Sequence, residues 1–276
     1  MTQKTILITG CSSGIGYDAA HGLTAIGWRV FATCRSADDC ERLRAEGLES
    51  FPLDYSDEPS IKTALAEVLK RTGGTLDALY NNGAFALPGA VEDLPRDGLR
   101  AIFETNLFGY FDLIHQVMPV MRAQGHGRII NYSSVLGLLA IRWRGAYCAT
   151  KFAMEGLTDA MRLELSDSPI HITLIEPGPI TSSIRQKAIP QFEKWIDWQG
   201  SAHRTRYETQ LRVRLYQDGG PDNFELPASA VTAKLIRALT VKRPRPRYYV
   251  TTPTHVMGFI KRITSTRFFD WLVGFS

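Results

Sequence analysis

Long uninterrupted apolar runs are missing from this 276-residue sequence. A spanning helix needs about 18 or more such residues, so no membrane segment is expected. Cysteine is scarce: Cys11, Cys34, Cys40 and Cys148 are the four present, with neither metal-ligand spacing nor the density of a stapled scaffold. They read as small, reduced, mostly buried residues, and no metal site is expected. An excess of one charge sign is also lacking, since the formal net charge is only +4. Nucleic-acid binding would want a clustered basic face and a recognisable module. There is no leader pattern either: "TILITG" begins almost at Met1 and runs into a glycine turn rather than a cleavage site, so a cytoplasmic protein starting here is expected. Internal repeats and low-complexity linkers are absent, which favours one domain over residues 1–276. The 44% hydrophobic and 22% charged content is that of a globular chain, long enough to bury a sizeable core.

What is present is alternation. The short β-branched or apolar runs "KTILIT", "RVFAT", "LESFPL", "LDALYN", "RIINYS", "HITLIE" and "RYYVT" are separated by longer amphipathic stretches. That order predicts an α/β fold with a doubly wound parallel sheet of about seven strands and helices on both faces. The alternation breaks after "LIEPGPI", where a segment rich in Trp, Arg and Gln intervenes. Such segments inside α/β domains are often lids, and residues 183–226 are expected to form one. A C-terminal extension, 253–276, follows the last strand.

Two local patterns carry chemistry. "LITGCSSGIGYDAA" is a strand, a glycine turn and a helix. In an open parallel sheet that first crossover seats a pyrophosphate on a helix N-terminus, because glycines let the backbone approach and free N–H groups face the anion. The turn residues Gly10, Ser12, Ser13, Gly14, Ile15 and Gly16 are therefore nucleotide-binding candidates. The spacing is G-x-x-x-G-x-G rather than G-x-G-x-x-G. In "GAYCATKFAMEG", Tyr147 precedes Lys151 by one helical turn, which puts their Cβ atoms about 5–6 Å apart. A free tyrosine has a pKa of about 10. Bringing it near 7 takes about 4 kcal/mol of preferential phenolate stabilisation, much of which a neighbouring buried ammonium can supply.

"TGCSSGIG", "NNGA", "TNLFGYF", "SSVLG", "YCATK" and "PGPI" occur in one register over about residues 4–185. In this the chain resembles the short-chain dehydrogenase/reductase family, and in particular its 17β-hydroxysteroid and retinol dehydrogenase-like branch. The resemblance implies hydride transfer between a nicotinamide nucleotide and a carbonyl/alcohol pair, with Tyr147 as general acid/base. Lys151 would also hold the nicotinamide ribose. Ser134 matches the catalytic serine, with Ser133 as its competitor. Asn106 matches the fourth catalytic member, thought to hold a water linking Lys151 to solvent. Pro177, Gly178 and Ile180 should wall the nicotinamide, Thr181 should bind its carboxamide, and Asn82 and Asp54 should lie along the adenosine. The alternative for Asp54 is a loop-initiating aspartate. One departure is "NNGA", where the family has Asn-Asn-Ala-Gly, so the backbone near the adenosine ribose is expected to differ slightly.

Strand two ends "FATCRS". NAD-preferring relatives carry an acid there for the ribose 2′-hydroxyl, but Cys34 occupies the slot and Arg35 follows. A guanidinium pairs with a 2′-phosphate, and Ser12 or Ser13 could add a hydroxyl, so NADP(H) is the expected cofactor. Leu136, Ile141, Trp143, Phe192, Trp195 and Trp198 suggest an apolar pocket for a lipophilic aldehyde, ketone or ketosteroid-like substrate; the alternative is that they are core or subunit contacts. The rival functions are a 3-oxoacyl-thioester reductase and a nonenzymatic NADP-sensing protein, and a homo-oligomer, dimer or tetramer, is expected. The tail sets Lys261, Arg262 and Arg267 beside Phe259, Phe268, Phe269, Trp271 and Phe275. It would cap the substrate cleft or cover a subunit surface; the other reading is an interfacial helix on an anionic membrane.

Overall fold

A computed structural model of the chain describes residues 3–217, 220 and 222–274. Residues 218, 219 and 221 of the expected lid, and Phe275 and Ser276 of the tail, lie outside the described residues. The seven expected runs are seven strands: β1 (Thr5–Thr9), β2 (Arg29–Cys34), β3 (Glu49–Pro52), β4 (Ala78–Asn81), β5 (Gly127–Tyr132), β6 (Ile170–Glu176) and β7 (Arg247–Tyr249). They form one sheet in the order β3-β2-β1-β4-β5-β6-β7, and every pairing is parallel.

Helices fill the crossovers: α1 (Gly14–Ala25), α2 (Ala37–Ala45), α3 (Glu58–Thr72), α4 (Arg96–Phe103), α5 (Gly109–Gln124) and α6 (Gly145–Glu164). The segment expected to form a lid holds α7 (Ile184–Trp195), the short α8 (Arg204–Arg206) and α9 (Arg212–Tyr216), and α10 (Ser229–Thr240) leads back to the sheet. The tail is α11 (Thr252–Ile263) and α12 (Thr266–Gly274).

Alternating side chains of one strand feed opposite cores, as the period of two requires. In β1, Ile6 and Ile8 pack with Ala19, Leu23 and Leu235, while Leu7 packs with Phe31, Leu113 and Val117 on the other face. All five β1 residues are buried, as expected of a parallel strand covered on both sides. A third apolar cluster, outside the sheet, joins Tyr147 and Ile102 to Ala188, Phe192, Tyr207 and Leu211 of the segment expected to form a lid.

The chain runs outward from β1 to β3 and then restarts at β4 on the other side, so the strand order reverses between β1 and β4. In open α/β sheets the crevice beyond the carboxyl ends of such strands is the ligand site. A buried polar chain crosses the sheet just beneath it. The Thr9 hydroxyl meets the Tyr55 hydroxyl at 2.7 Å, and Tyr55 donates to Asn81 Oδ1 at 2.6 Å. Asn81 donates to Asn131 at 3.0 Å, and Asn131 to the Thr158 hydroxyl at 3.0 Å. Each buried group has a partner, which avoids a desolvation penalty of about 1–3 kcal/mol per orphan and ties α6 to the strand ends.

Candidate active site

A cavity of about 430 Å³ opens at the carboxyl ends of β1, β2 and β4. Gly10, Ser12, Ser13, Gly14 and Ile15 line it, with Arg35, Asp54 and Asn82. Gly10 has φ +70, a left-handed conformation that a Cβ disfavours, and a Cβ there would lie 2.5 Å from Gly83 Cα. On Gly16 a Cβ would run into the Gly10 carbonyl and come within 2.6 Å of Asn82 Nδ2. Two backbone turns therefore meet with no room for a side chain. The "NNGA" departure sits at this meeting point, since a Cβ on Gly83 would come within 3.3 Å of the Tyr55 ring.

Asn82 acts on the turn itself: its amide donates to Thr9 O at 3.0 Å and Gly10 O at 3.3 Å. Ser13, at the N-cap position of α1, makes no side-chain bond to its own helix, so its hydroxyl faces outward. A cradle that a Cβ would fill, free N–H groups at a helix start and an outward hydroxyl fit a nucleotide pyrophosphate.

The adenosine side is mixed. Arg35 follows β2 directly and makes no ion pair among the described residues. Cys34 is 1% exposed, and burial, with the neighbouring Cys40, pushes its thiol up to about 12, so the slot for an acid is uncharged at neutral pH. All four cysteines are free and buried. Asp54 accepts from the Ser56 N–H at 2.9 Å and the Ser56 hydroxyl at 2.8 Å. It thus makes the loop-initiating turn and lines the cavity as well.

Behind the cavity, β5 and α6 bring Ser134, Tyr147 and Lys151 together. Ser134, 8% exposed, follows β5 and accepts from Leu136 N at 3.1 Å. Of the two serines, Ser134 is the one whose hydroxyl acts on the Tyr147 phenol, whereas Ser133 faces Glu155. Lys151 is fully buried. Its ammonium donates to Tyr132 O at 2.8 Å and lies over the rings of Tyr132, Tyr147 and Tyr110 at 4.8, 5.4 and 5.5 Å. Burial lowers Lys151 to about 7, opposed by Glu155.

Burial, together with the neighbouring phenol of Tyr132, holds the Tyr147 phenol well above its ordinary value, while Ser134 favours its ionised form. The expectation that Lys151, together with the positive charge of an oxidised nicotinamide, brings the phenol toward 7 thus meets an opposing effect of burial in the protein itself. The ammonium sits over the ring face, and burial, which raises the phenol, lowers Lys151.

Asn106 is fully buried in a π-helical segment, Glu104–Phe108, between α4 and α5. Its Oδ1 accepts from Phe85 N at 3.1 Å, and its amide donates to Phe85 O at 2.9 Å and Thr150 Oγ1 at 3.4 Å. Thr150 in turn donates to Tyr147 O at 2.8 Å. The asparagine thereby links the loop after β4 to the turn of α6 that carries Tyr147, and the extra residue of a π segment is a frequent mark of function.

The "PGPI" residues lie away from the cavity lining. Pro177 O accepts from Val135 N at 2.8 Å. Gly178 packs against Thr251 and Thr254, Ile180 bridges to Leu226, and the Thr181 hydroxyl donates to Glu225 at 2.7 Å. The next residues, Ser182, Ser183 and Ile184, line the cavity together with Lys187. Lys187 escaped sequence reasoning, as did Tyr132, which belongs to the same lining; both are recognised only from contacts between distant segments.

On the substrate side, Phe192 is fully buried, while Leu136, Trp143, Trp195 and Trp198 are half-buried around the same cluster. Trp143 has φ +67, a strained conformation for a bulky residue, and its ring lies 4.8 Å from that of Tyr207. Helix α11 packs beside the turn Val135–Gly137 that follows Ser134; Gly258 meets Leu138 and Tyr249, and Lys261 donates to Leu138 O. Among the described residues no helix is long and apolar enough to cross a membrane, and no group of three or more His, Cys, Asp or Glu could hold a metal ion.

The reversal point of the sheet, the glycine cradle and the Ser-Tyr-Lys group behind it define a class: α/β oxidoreductases that bind a nicotinamide nucleotide. A family model described as short chain dehydrogenase matches residues 4–192, and the chain belongs to that family. It is 36% identical over 97% of its length to the uncharacterized oxidoreductase YbbO of Escherichia coli K12, covering 93% of that protein. It is also 31% identical over 91% of its length to human 17-beta-hydroxysteroid dehydrogenase type 1, covering 78% of it. Among solved structures, a single-substitution variant of actinorhodin polyketide ketoreductase with NADPH superposes with TM-score 0.73 at 27% identity, over 91% of this chain and 97% of that one. Structural neighbours hold NAD in some cases and NADPH in others.

Proposed function

We propose that the protein is an NADP(H)-dependent oxidoreductase that interconverts a lipophilic carbonyl, an aldehyde, ketone or ketosteroid-like compound, and its alcohol. The observation that carries this reading is the position of Tyr147. It belongs both to the Ser134–Lys151 group and to the apolar cluster of the lid, so a substrate oxygen reaching the phenol lies against apolar side chains. The bound nucleotide supplies or accepts the hydride. Tyr147 gives the proton to the carbonyl oxygen, and Ser134 donates a hydrogen bond to that oxygen. Lys151 stabilises the phenolate left behind, and Asn106 holds the Tyr147 turn in place. Arg35, beside an uncharged Cys34, supports NADP(H) over NAD(H).

Protonated Tyr147 is the form that carbonyl reduction needs, and Lys151 stabilises the phenolate left by proton transfer only while charged. The rate of reduction is therefore expected to decline on the alkaline side of about 7, the value to which burial lowers Lys151. The test is NADPH oxidation followed over lipophilic aldehydes, ketosteroids and acyl thioesters, with Tyr147→Phe as the control. Proton transfer contributes about 10²–10⁴-fold, so the variant should lose at least about a hundredfold in turnover while binding NADPH normally. Retention of more than about a tenth of the turnover removes Tyr147 from the mechanism, and turnover confined to acyl thioesters reassigns the substrate.

A further inference from the structure

The lid touches the nucleotide turn through one cation. Lys187 Nζ, on the first turn of α7, donates to Ser13 Oγ at 2.7 Å and to Ser12 Oγ at 3.2 Å. Ser183, just ahead of α7, meets the same Ser13 hydroxyl at 3.0 Å. These contacts join residues more than a hundred positions apart in the chain. Lys187 makes no salt bridge among the described residues, and its ammonium is exposed on the cavity wall. A cation held by two hydroxyls is under-neutralised, and the hydroxyls it uses stand where α1 begins with its N–H groups free. An anion there would gain the helix start, both hydroxyls and the ammonium together.

We infer that Lys187 is a nucleotide-binding residue carried by the lid, pairing with the pyrophosphate of the cofactor, so that nucleotide binding fastens α7 over Tyr147. This rests on the reading of the cavity as a dinucleotide site. The ammonium lies at the α1 end of the cavity, whereas Arg35 lies at the end of β2. The division of labour follows: Lys187 serves the phosphates common to NADH and NADPH, and Arg35 the 2′-phosphate of NADPH alone. The same α7 carries Ala188 and Phe192 into the cluster around Tyr147. Phosphate pairing at one end of the helix thus sets the apolar wall at the substrate end, and the lid is firmest when nucleotide is present.

Calorimetric titration of wild type, Lys187→Ala and Lys187→Arg with NADPH, NADH and ADP tests the assignment. Lys187→Ala should bind all three about 5- to 20-fold more weakly, as expected of a partly exposed charge-assisted bond, and Lys187→Arg should recover most of the loss. Trypsin should cut the lid arginines more slowly when ADP is added to wild type, and ADP should give Lys187→Ala little protection. A loss confined to NADPH moves Lys187 to the 2′-phosphate and overturns the pyrophosphate assignment. Unchanged ADP affinity in Lys187→Ala, with wild type binding normally, overturns the lid contact alone. Wild-type protein that binds none of the three nucleotides overturns the dinucleotide reading and the lid contact with it.

Discussion

At the glycine turn one added carbon has nowhere to go, whereas across the same cavity the lid is walled by rings that pack on other rings. A Cβ on Gly16 meets backbone on one side and Asn82 on the other, and neither can move without disturbing β1 or β4. On the other side, Phe192 of α7 and Trp143 of the loop ahead of α6 both lean on Tyr207, with ring centroids 5.9 and 4.8 Å away. Tyr207 is anchored by Asp93, which accepts its hydroxyl at 2.8 Å. The nucleotide half is thus specified by steric exclusion, which admits one residue type per position. The substrate half is specified by filled volume, which many combinations satisfy.

The sharpest way to break that contrast is a pair of substitutions. Gly16→Ala should weaken NADPH binding more than about a hundredfold, or abolish folding, because backbone cannot yield as a rotamer can. Phe192→Leu should cost about 1–2 kcal/mol of stability, near the usual figure for hydrophobic swaps, and leave NADPH affinity within about twofold. Titration and thermal unfolding of both variants read the difference. If Phe192→Leu damages nucleotide binding as severely as Gly16→Ala, the two halves are not built on separate rules.

The same contrast explains which parts of the molecule are legible in the sequence. The seven strands are legible because β-branched runs between glycine and polar breaks have few other uses, and β1 is buried on both faces as such a run demands. Gly10, Ser12, Ser13 and Gly14 are legible because strand, glycine turn and helix follow one another within a few residues, and Tyr147 and Lys151 because they lie one helical turn apart. Lys187 is not, since the hydroxyls it meets lie at the other end of the fold and its helix looks like any lid helix. The asparagine in "TNLFGYF" stands out as unfavourable in a helix, but its π segment follows from tertiary bonds to Phe85 and Thr150. The upward shift of the Tyr147 phenol is also hidden, because the burial that causes it comes from the packing of distant segments.

Arg35 sits on the border between the two halves, at a position that geometry permits and only charge selects. Replacing it with Ala should weaken NADPH binding by about 1.5–3 kcal/mol, the range for a charge-assisted hydrogen bond, with NADH affinity nearly unchanged. Fluorescence titration with both cofactors decides this. Equal losses would put Arg35 on the adenine, and a wild-type preference for NADH would remove the NADP(H) assignment. Set beside Lys187→Ala, which should affect both cofactors alike, the pair sharpens the nucleotide half into a common subsite and a selective one.

The smallest effect belongs to the tail, which extends the substrate half. Helix α12 buries Phe269, 7% exposed, but leaves Phe268 and Trp271 at 48% and 59%, and it touches α11, which in turn packs beside the turn after Ser134. Its influence on the site is therefore relayed through one helix. Ending the chain after Ser265 removes Phe269, the one ring buried among the described residues of α12, a loss of about 1.5–3 kcal/mol of burial. The truncated protein should show a modest fall in unfolding temperature and a rise in the Michaelis constant for lipophilic substrates of about 2- to 5-fold, a change in uniform binding rather than in turnover. NADPH affinity should stay unchanged, since α12 packs on α11, which lies beside the turn after Ser134. Salt-sensitive sedimentation of the full chain, but not the truncated one, with anionic liposomes would instead assign the exposed Phe268 and Trp271 rings and the cation Arg267 to a membrane surface. A fall in NADPH affinity on truncation would show that the tail reaches the nucleotide half and that the division drawn between the two is wrong.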